Sequence, residues 1–554
     1  MLRWMRVARP ALGGVGRPRL PPLSLSSRPR HCMTLHFFKE GEDASIKVTA
    51  KTGQTILEVA HENDIDIEGA CGGECACSTC HIVLEQEAYS KLPEPDDDEV
   101  GTVNPVLPVV KELVSRGCEV RYYFNKETYV KDLRAAGAEP VKFDDYFLRW
   151  DELYQEEAEW LHRHGYGPEA IKELPSSEGT MVSRMLLNCL PAGLCLTKRL
   201  SKLWQDAWRP DVVLYNVMLL HPFLAAKQLG IPTASFSTYP GPGTPMHLYQ
   251  QKFEEREAYD EQLARHPAVA PANALAAKLF GVDVLQTQLL GRFFSDQINI
   301  VYSIPQLQGL VNENQRQRLE GSAFHWVGAT DPQLCGLVPR VESADAEEMT
   351  RLPGMKVVLV SLGSLTVECR WDMPEHVSSL GLITGKDFSQ RLWSELLDSF
   401  GGRSDVQVIL SIGTREEARE LLGDLPSNFS AQTFLDQINA LKSADLFITH
   451  GGANSIKEAT LLGVPMIVTP FCVDQPTNGE AIQRYGAGVC FSDLMATPRG
   501  ELSRAVEHGL GGAALGWRQR SSELGEALRR AGGAQAAAEA CLSLLSLRAS
   551  AGGA

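Results

Sequence analysis

The 554-residue sequence contains no uninterrupted apolar run of the about 20 residues that a helix needs to cross a lipid bilayer. The pattern therefore predicts no transmembrane segment. Positive charge is also scarce, because 53 Lys and Arg stand against 69 Asp and Glu, a formal net charge of −16. A surface of that sign repels phosphate backbones, so nucleic acid is not expected as a partner. A chain of this length predicts about three or four domains.

Two local absences are more informative than the overall charge. Residues 1–33 contain seven arginines and no acidic residue, whereas residues 34–99 contain no arginine, four lysines and sixteen acids, a local net charge of −12. The Arg- and Ser-rich leader, residues 1–32, is typical of a mitochondrial transit peptide rather than of a folded element. The alternative is a cytoplasmic product that begins at Met33. The acidic stretch predicts a basic partner.

The cysteines do not form the paired framework of a small secreted protein. There are thirteen of them, an odd number, and four lie within the ten residues from Cys71 to Cys80. Cys71, Cys77 and Cys80 are separated by five and then two residues, and Gly72 and Gly73 would let backbone N–H groups approach cluster sulfides. This pattern favours an iron–sulfur cluster. Zinc is the alternative, but it would need a second ligand pair.

The phrases GACGGECACSTCH, DIDIEGA and EAYSKLPEP resemble the vertebrate-type [2Fe–2S] ferredoxins, adrenodoxin and its mitochondrial relatives, over residues 34–98. The resemblance implies a β-grasp electron carrier of the mitochondrial matrix, with Cys71, Cys77 and Cys80 as cluster ligands and a basic ferredoxin reductase as redox partner. The family's fourth ligand lies in a segment that this chain lacks in recognisable form. Cys118 lies near the expected spacing and is the candidate. Residues 33–99 are therefore predicted to be a truncated ferredoxin-like module.

From Asn104 onward the sequence alternates between helical and strand patterns. Gly117 is predicted to end a first amphipathic helix. Such alternation predicts parallel sheets wound with helices, and residues 331–353 are predicted to link two such sheets. The predicted strands are VVLYNV, TASFST, INIVYSI, KVVLVSLGS, VQVILSIG, DLFITHGG and PMIVTP.

The richest motif lies in residues 444–489. A buried strand ends at Thr449, the chain turns through His450 and Gly452, and a helix begins near Asn454. Small residues and backbone donors at a helix N-terminus are suited to a pyrophosphate. Glu458 follows Asn454 by four residues, so the two share one face of the helix.

This motif resembles the UDP-glycosyltransferases of the GT-B fold, family one, macrolide-type branch, over residues 103–540. The resemblance implies a UDP-sugar donor, a small acceptor, an acceptor domain over residues 100–330 and a donor domain over residues 354–545. The aromatic residues of about 145–208 suggest an apolar acceptor; the alternative is that they belong to the core, since they recur at helical spacing. Carried over, the donor contacts are Ser364, Asn454 and Ser455 (phosphates), His450 and Gly452 (pyrophosphate turn), Gln437 (uracil), Glu458 (ribose), and Asp474 and Gln475 (sugar hydroxyls).

The catalytic dyad of that family is absent. Its general base is the His of a Gly-His-x-Asn-Pro loop, where this chain has Thr102, and its partner acid is replaced by Asn216. A threonine does not accept a proton near neutral pH. His221 is the nearest substitute. The sequence therefore predicts an enzyme that binds its donor but transfers slowly.

The first strand of the N-terminal GT-B domain is also missing, because the acidic run DDDEV precedes the loop. This strand lies in the middle of a doubly wound sheet, so its absence leaves two unpaired edges. The predicted fold is multidomain α/β: a partial β-grasp module followed by GT-B with two Rossmann-like domains. The alternatives to a transferase carrying a ferredoxin-like module are an electron-transfer protein with an impaired transferase domain and a chimeric join of two genes.

Overall fold

The computed structural model describes most of the chain after residue 104 and shorter stretches before it. The chain forms two compact units: the described part of the first ends at Ile65, and that of the second begins at Pro105. The described residues are 2–7, 32–39, 45–51, 59, 63, 65, 105–124, 129–143, 150–167, 181–242, 264–288, 292–309, 311, 316–317, 319–330, 351–433 and 435–551.

The first unit contains a three-stranded antiparallel sheet in the order β1-β2-β3, formed by β1 (Leu2–Val7), β2 (Cys32–Lys39) and β3 (Ser45–Lys51). β2 and β3 pair antiparallel as a hairpin, with Leu35 opposite Val48. The expectation that the leader holds no folded element is wrong for β1, which pairs with the other edge of β2. Its sequence, LRWMRV, has the β-branched and aromatic residues that suit an added strand.

The second unit begins with a region of short parallel strands and longer helices. Gly117 has a φ of +87° and follows the first helix, as predicted. The elements of this region are α1 (Leu107–Ser115), β4 (Arg121–Phe124), α2 (Val130–Ala135), β5 (Glu139–Lys142), α3 (Trp150–Arg163), α4 (Met181–Asp206), β6 (Val213–Asn216), α5 (Leu220–Leu229), β7 (Thr233–Ser237), α6 (Val269–Phe280), α7 (Val284–Thr287), β8 (Ile298–Val301) and β9 (Ala323–Trp326).

These strands form two ladders rather than one. β4 pairs with β5, and a four-stranded parallel sheet has the order β6-β7-β8-β9. Tyr122 of β4 and Leu214 of β6 nevertheless pack into one hydrophobic core beneath α1. On the other face, the ring of Tyr123 meets that of Trp204 in α4, with centroids 6.2 Å apart. The two ladders are therefore parts of one layer, and no strand of the described chain joins β4 to β6.

The rest of the unit is a six-stranded parallel sheet in the order β14-β13-β10-β15-β16-β17, with a separate hairpin of β11 and β12. Its elements are β10 (Lys356–Ser361), β11 (Glu375–Ser378), β12 (Gly381–Ile383), α8 (Gly385–Phe400), β13 (Val406–Ser411), α9 (Glu416–Leu422), β14 (Phe429–Gln432), α10 (Gln437–Ser443), β15 (Leu446–Thr449), α11 (Ala453–Leu461), β16 (Met466–Val468), α12 (Gln475–Tyr485), β17 (Gly488–Cys490), α13 (Glu501–Leu510), α14 (Ala514–Arg530) and α15 (Gly533–Ala551).

Helices cover both faces of this sheet. Val358 and Val360 of β10 belong to one core, with α8 and α13, while Val357 and Leu359 belong to the other, with α11 and α14. Strands buried on both faces are continuous apolar runs, which is why the sequence pattern located them. The strand order reverses between β10 and β15, and in such sheets the ligand crevice lies outside the carboxyl ends of the strands at that point.

The last helix, α15, returns to the first region of this unit, where Ala537 and Leu544 join the core formed with α1. The predicted boundary at residues 99–100 and most of the predicted linker, residues 331–350, lie outside the described residues. Within the parts of the chain that are described, no helix has both the length and the hydropathy to cross a membrane.

Candidate functional site

The imidazole of His450 is enclosed by two glycine turns at the point where the strand order reverses. A Cβ on Gly363, after β10, would lie 2.6 Å from the ring, and one on Gly452, after β15, would lie 2.5 Å from it. Only glycine fits at such distances. The backbone N–H of His450 donates to the carbonyl of Ser361, at 3.2 Å. The ring is therefore fixed between the two turns and is 9% exposed.

The N-terminus of α11 lies beside this ring. Gly452 is its N-cap residue and makes no side-chain cap, and Asn454 and Ser455 stand in the first turn. Ser364 follows Gly363 and is the N-cap residue of a short π-helical turn, without a side-chain cap. Free N–H groups and the positive end of the helix dipole suit an anion here. The structure thus brings the residues predicted to contact phosphate to one edge of the sheet.

The residues predicted to contact uracil and ribose are hydrogen-bonded to each other. The Gln437 amide donates to the Glu458 carboxylate at 2.5 Å and to the Ser455 hydroxyl at 3.1 Å. Gln437 begins α10, whose N-cap residue Asp436 accepts from the Asn439 N–H at 3.0 Å. This cap fixes where α10 begins, and so it positions Gln437 opposite α11.

Asn478 connects two loops of the site and was missed by the sequence analysis. Its side-chain amide donates to the Gly451 carbonyl at 2.7 Å and to the Asp474 carboxylate at 2.8 Å, and the residue is 2% exposed. The signal in the sequence was its position four residues after Asp474, on one face of α12. Burial raises the pKa of Asp474, and the Asn478 hydrogen bond and the charge of Lys457 oppose that shift.

The loop before Asp474 is held by Gln475. The Gln475 side-chain oxygen accepts from the N–H groups of Phe471 and Cys472, at 2.7 and 2.9 Å, and the residue is 2% exposed. Val473, which lies between Cys472 and Asp474, has a φ of +58°. This backbone conformation is strained for a β-branched residue by about 1–3 kcal/mol. Gln475 therefore shapes the loop that presents Asp474, and its oxygen is already engaged there.

The structure describes only one of the two dyad positions. Thr102 lies outside the described residues. Asn216 ends β6, and its side-chain oxygen accepts from the Met218 N–H at 3.0 Å, so the amide stabilises the turn after the strand.

His221, the predicted substitute base, lies in the first turn of α5. It is 4% exposed, and its ring stacks on Phe143 with centroids 5.8 Å apart. Burial lowers its pKa to about 3. The imidazole is therefore neutral near pH 7 but is a weak base, and its packing does not favour the predicted role.

Of the predicted cluster ligands, Cys71, Cys77 and Cys80 lie outside the described residues. Cys118 lies between α1 and β4 in the second unit, where its N–H donates to the Leu113 carbonyl at 3.1 Å and its thiol is partly exposed. No group of three His, Cys, Asp or Glu side chains suited to a metal ion occurs in the portion of the chain that the structure describes.

Two family models match separate parts of the chain. Residues 38–106 match the 2Fe-2S iron-sulfur cluster binding domain. Residues 394–534 match the C-terminal domain described as erythromycin biosynthesis protein CIII-like, and they contain His450, Glu458 and Asp474.

The known proteins that are similar to this chain also fall into two groups, one for each matched part. The NDP-glycosyltransferase YjiC of Bacillus licheniformis is 26% identical over 440 residues, 79% of this chain and 93% of that protein. The mitochondrial adrenodoxin homologue of Saccharomyces cerevisiae is 41% identical over 86 residues, 15% of this chain and 46% of that protein. The chain therefore joins a segment similar to adrenodoxin-type ferredoxins to a region similar to the NDP-glycosyltransferases. We call residues 38–106 the ferredoxin segment and the second unit, from Pro105, the glycosyltransferase region.

A solved structure, the glycosyltransferase of kitacinnamycin, is 25% identical to this chain and superposes with a TM-score of 0.56. It covers 79% of this chain and 94% of its own. The predicted family resemblances and the multidomain α/β fold class are thereby confirmed. The ferredoxin segment spans less than half of the adrenodoxin homologue of Saccharomyces cerevisiae, whereas the glycosyltransferase region corresponds to nearly the whole of YjiC of Bacillus licheniformis.

Proposed function

We propose that the glycosyltransferase region binds a UDP-sugar and transfers its hexosyl group to a hydroxyl of a small, apolar acceptor. The observation that carries this proposal is the hydrogen-bonded group of Gln437, Ser455 and Glu458 beside the enclosed ring of His450. In this arrangement an anion-binding helix terminus and a carboxylate suited to ribose hydroxyls share one helix, α11. Both similarities, to YjiC and to the erythromycin CIII-like model, support it.

In this proposal the donor occupies the crevice outside the carboxyl ends of β10 and β15. The pyrophosphate lies against His450, Gly452 and the first turn of α11, with Ser364 on the opposite side. Glu458 accepts hydrogen bonds from the ribose, and Gln437 contacts the uracil. Asp474 accepts from the sugar hydroxyls, while Gln475 holds the loop that presents it.

The chemical step needs a group that takes the proton of the acceptor hydroxyl as the glycosidic bond forms. The two family positions for this task are Thr102 and Asn216, and neither side chain is a base near neutral pH. Positioned general bases contribute about 10²–10⁴-fold to the rate. We therefore propose that this chain transfers slowly to ordinary alcohols and faster to acidic acceptors such as phenols.

For the ferredoxin segment we propose a [2Fe–2S] cluster held by Cys71, Cys77 and Cys80, with Cys118 as the candidate fourth ligand. Thiolates at this spacing suit such a cluster, which supplies one-electron transfer when bound. The acidic stretch of residues 34–99 would dock a basic reductase, and the leader would direct the chain to the mitochondrial matrix. Loss of colour and of bound iron in Cys77→Ser would support the assignment.

An electron-transfer protein with an impaired transferase region, or a chimeric join of two genes, is the second candidate. The 41% identity to the adrenodoxin homologue favours a role for the ferredoxin segment. The tryptic peptide LPEPDDDEVGTVNPVLPVVK crosses the join and ends at Lys111. Its detection by mass spectrometry in cell extracts shows one translated chain; its absence beside abundant peptides from both sides shows two separate proteins.

Calorimetric titration of the full chain with UDP tests the donor site. We expect Glu458→Ala to weaken binding by about 1–3 kcal/mol, because charge-assisted hydrogen bonds are lost. Glu480→Ala, at an exposed position of α12, is the matched control and should bind like the parent. Equal affinity in all three proteins, or no binding by the parent, would contradict the proposal.

A further inference from the structure

A β-turn that contains Val473 presents Asp474 to the site. The Gln475 N–H donates to the Cys472 carbonyl at 3.2 Å, so residues 472–475 form the turn, with Val473 second and Asp474 third. Val473 has a φ of +58°, and Asp474 has a φ of −88° and a ψ of −10°. These angles are typical of a type II′ turn, whose second residue is normally glycine. Val473 is the one residue other than glycine with a positive φ among those that the structure describes.

The neighbours of Val473 hold it in this conformation. Its side chain is partly buried against the core that the six-stranded sheet forms with α8 and α13. Phe471 is fully buried in the same core, where its ring meets that of Phe388 in α8, with centroids 5.3 Å apart. The Gln475 side-chain oxygen holds the N–H groups of Phe471 and Cys472. Strained residues persist where the surrounding structure over-determines them in this way, and they cluster at functional sites.

The turn also decides what the Asp474 carboxylate can bind. Asp474 is the N-cap residue of α12, where an aspartate with extended backbone usually accepts from an N–H of the first turn. Pro476 at N2 has no N–H, so that donor would be Thr477 at N3. With the helical φ and ψ of the third turn position, Asp474 makes no such cap. Its carboxylate instead accepts from the Asn478 amide at 2.8 Å, and the residue is partly exposed to a ligand.

We propose that Val473 is a positioning residue: the strained turn keeps the Asp474 carboxylate from capping α12 and directs it to the hydroxyls of the transferred sugar. The inference rests on the proposed function, in which Asp474 accepts hydrogen bonds from those hydroxyls. Glycine at position 473 would relieve the strain, but its backbone freedom and the loss of the buried side chain would let the turn open and Asp474 cap α12. Val473 therefore acts on the sugar of the donor and not on its uracil or pyrophosphate.

Calorimetric titration of the full chain with UDP and with UDP-glucose separates these effects. We expect Val473→Gly to weaken UDP-glucose binding by about 2–10-fold, which corresponds to one hydrogen bond, and to leave UDP binding unchanged. Asp474→Ala measures the loss of the carboxylate itself. Val473→Ile keeps the branched side chain and should bind both ligands like the parent. The matched control is Val489→Ala in β17, another partly buried valine on the same core, which should also bind both like the parent.

Glycine adopts a φ of +58° without strain, so Val473→Gly should fold, and thermal unfolding checks this for every variant. Two results would overturn the inference while the donor site stands. One is parental affinity of Val473→Gly for UDP-glucose although Asp474→Ala has lost affinity. The other is an equal loss for UDP and UDP-glucose, which would make Val473 a purely structural residue. A parent chain that binds no UDP, or UDP-glucose binding that Asp474→Ala leaves unchanged, would instead refute the proposed donor site and this inference with it.

Discussion

The side-chain nitrogen of Gln437 lies 2.5 Å from a carboxylate oxygen of Glu458, so two residues with separate predicted roles form one unit. This contact implies that their effects on donor binding are not independent. Replacing Gln437 removes this hydrogen bond to the Glu458 carboxylate, and replacing Glu458 lets the Gln437 side chain move.

We expect a double-mutant cycle of Gln437→Ala and Glu458→Ala to show a coupling energy of about 0.5–3 kcal/mol in UDP affinity, because contacting residues are not additive. Calorimetric titration of the parent, both single variants and the double variant measures it. A control cycle of Glu458→Ala with Gln519→Ala, an exposed residue of α14, should be additive. Additivity in the cycle of Gln437→Ala and Glu458→Ala as well would mean that the contact between these residues does not contribute to UDP binding.

Asn478→Ala should lower both stability and donor affinity. The variant loses the hydrogen bonds to Gly451 and Asp474 and leaves a buried carbonyl without its partner, a cost of about 1–3 kcal/mol. Denaturant unfolding measures the stability, with Gln519→Ala as a surface control. A stability equal to that of the control would show that the two loops do not depend on Asn478.

His221 should make the glycosyltransferase region less stable in mild acid. Its folded pKa of about 3 lies below the ordinary value of 6.5, so below about pH 6.5 the unfolded chain binds a proton that the folded chain does not. The free energy of unfolding then falls by up to about 1.4 kcal/mol per pH unit as pH decreases toward 3. We expect His221→Phe to flatten this dependence between pH 7 and 5, while His162→Gln, on the exposed face of α3, keeps it. Parallel pH profiles for the parent and His221→Phe would contradict the assignment.

Amide hydrogen exchange should detect the edge strands of the N-terminal sheet. Among the residues that the structure describes, β4 and β6 each have a single strand partner, whereas β10 lies between β13 and β15. We therefore expect peptides covering residues 121–124 and 213–216 to exchange faster than one covering residues 356–361. Equal protection would indicate that another segment completes the sheet.

Restoring the dyad should accelerate transfer. In Thr102→His combined with Asn216→Asp, a histidine base and its orienting carboxylate occupy the family positions, and we expect turnover to rise by about 10²–10⁴-fold. The assay uses UDP-glucose and a panel of phenolic acceptors, and Asn216→Asp alone is the control because it lacks the base. A parent chain as fast as the restored one would show that the dyad lies elsewhere.

Short-range patterns were sufficient for much of this protein. Each predicted strand from VVLYNV to PMIVTP is present, because strands buried on both faces are continuous apolar runs bounded by glycines and helices. The turn from Thr449 to Asn454 was also predictable, since the need for small residues at a strand-to-helix turn is local. The leader was the exception, because the pairing of β1 with the edge of β2 is a contact that the leader's local pattern does not specify.

Only the tertiary structure decided how the site residues relate to one another. The contact of Gln437 with Glu458 joins α10 to α11, and Asn478 reaches Gly451 across 27 positions of the chain. The ring of His221, which burial makes a weak base, likewise stacks on Phe143, just after β5. Residue type and spacing determined which chemistry this chain carries. Hydrogen bonds between distant segments, and burial by them, determined which of those side chains remain available to a sugar donor. Both depend on neighbours that no local pattern specifies.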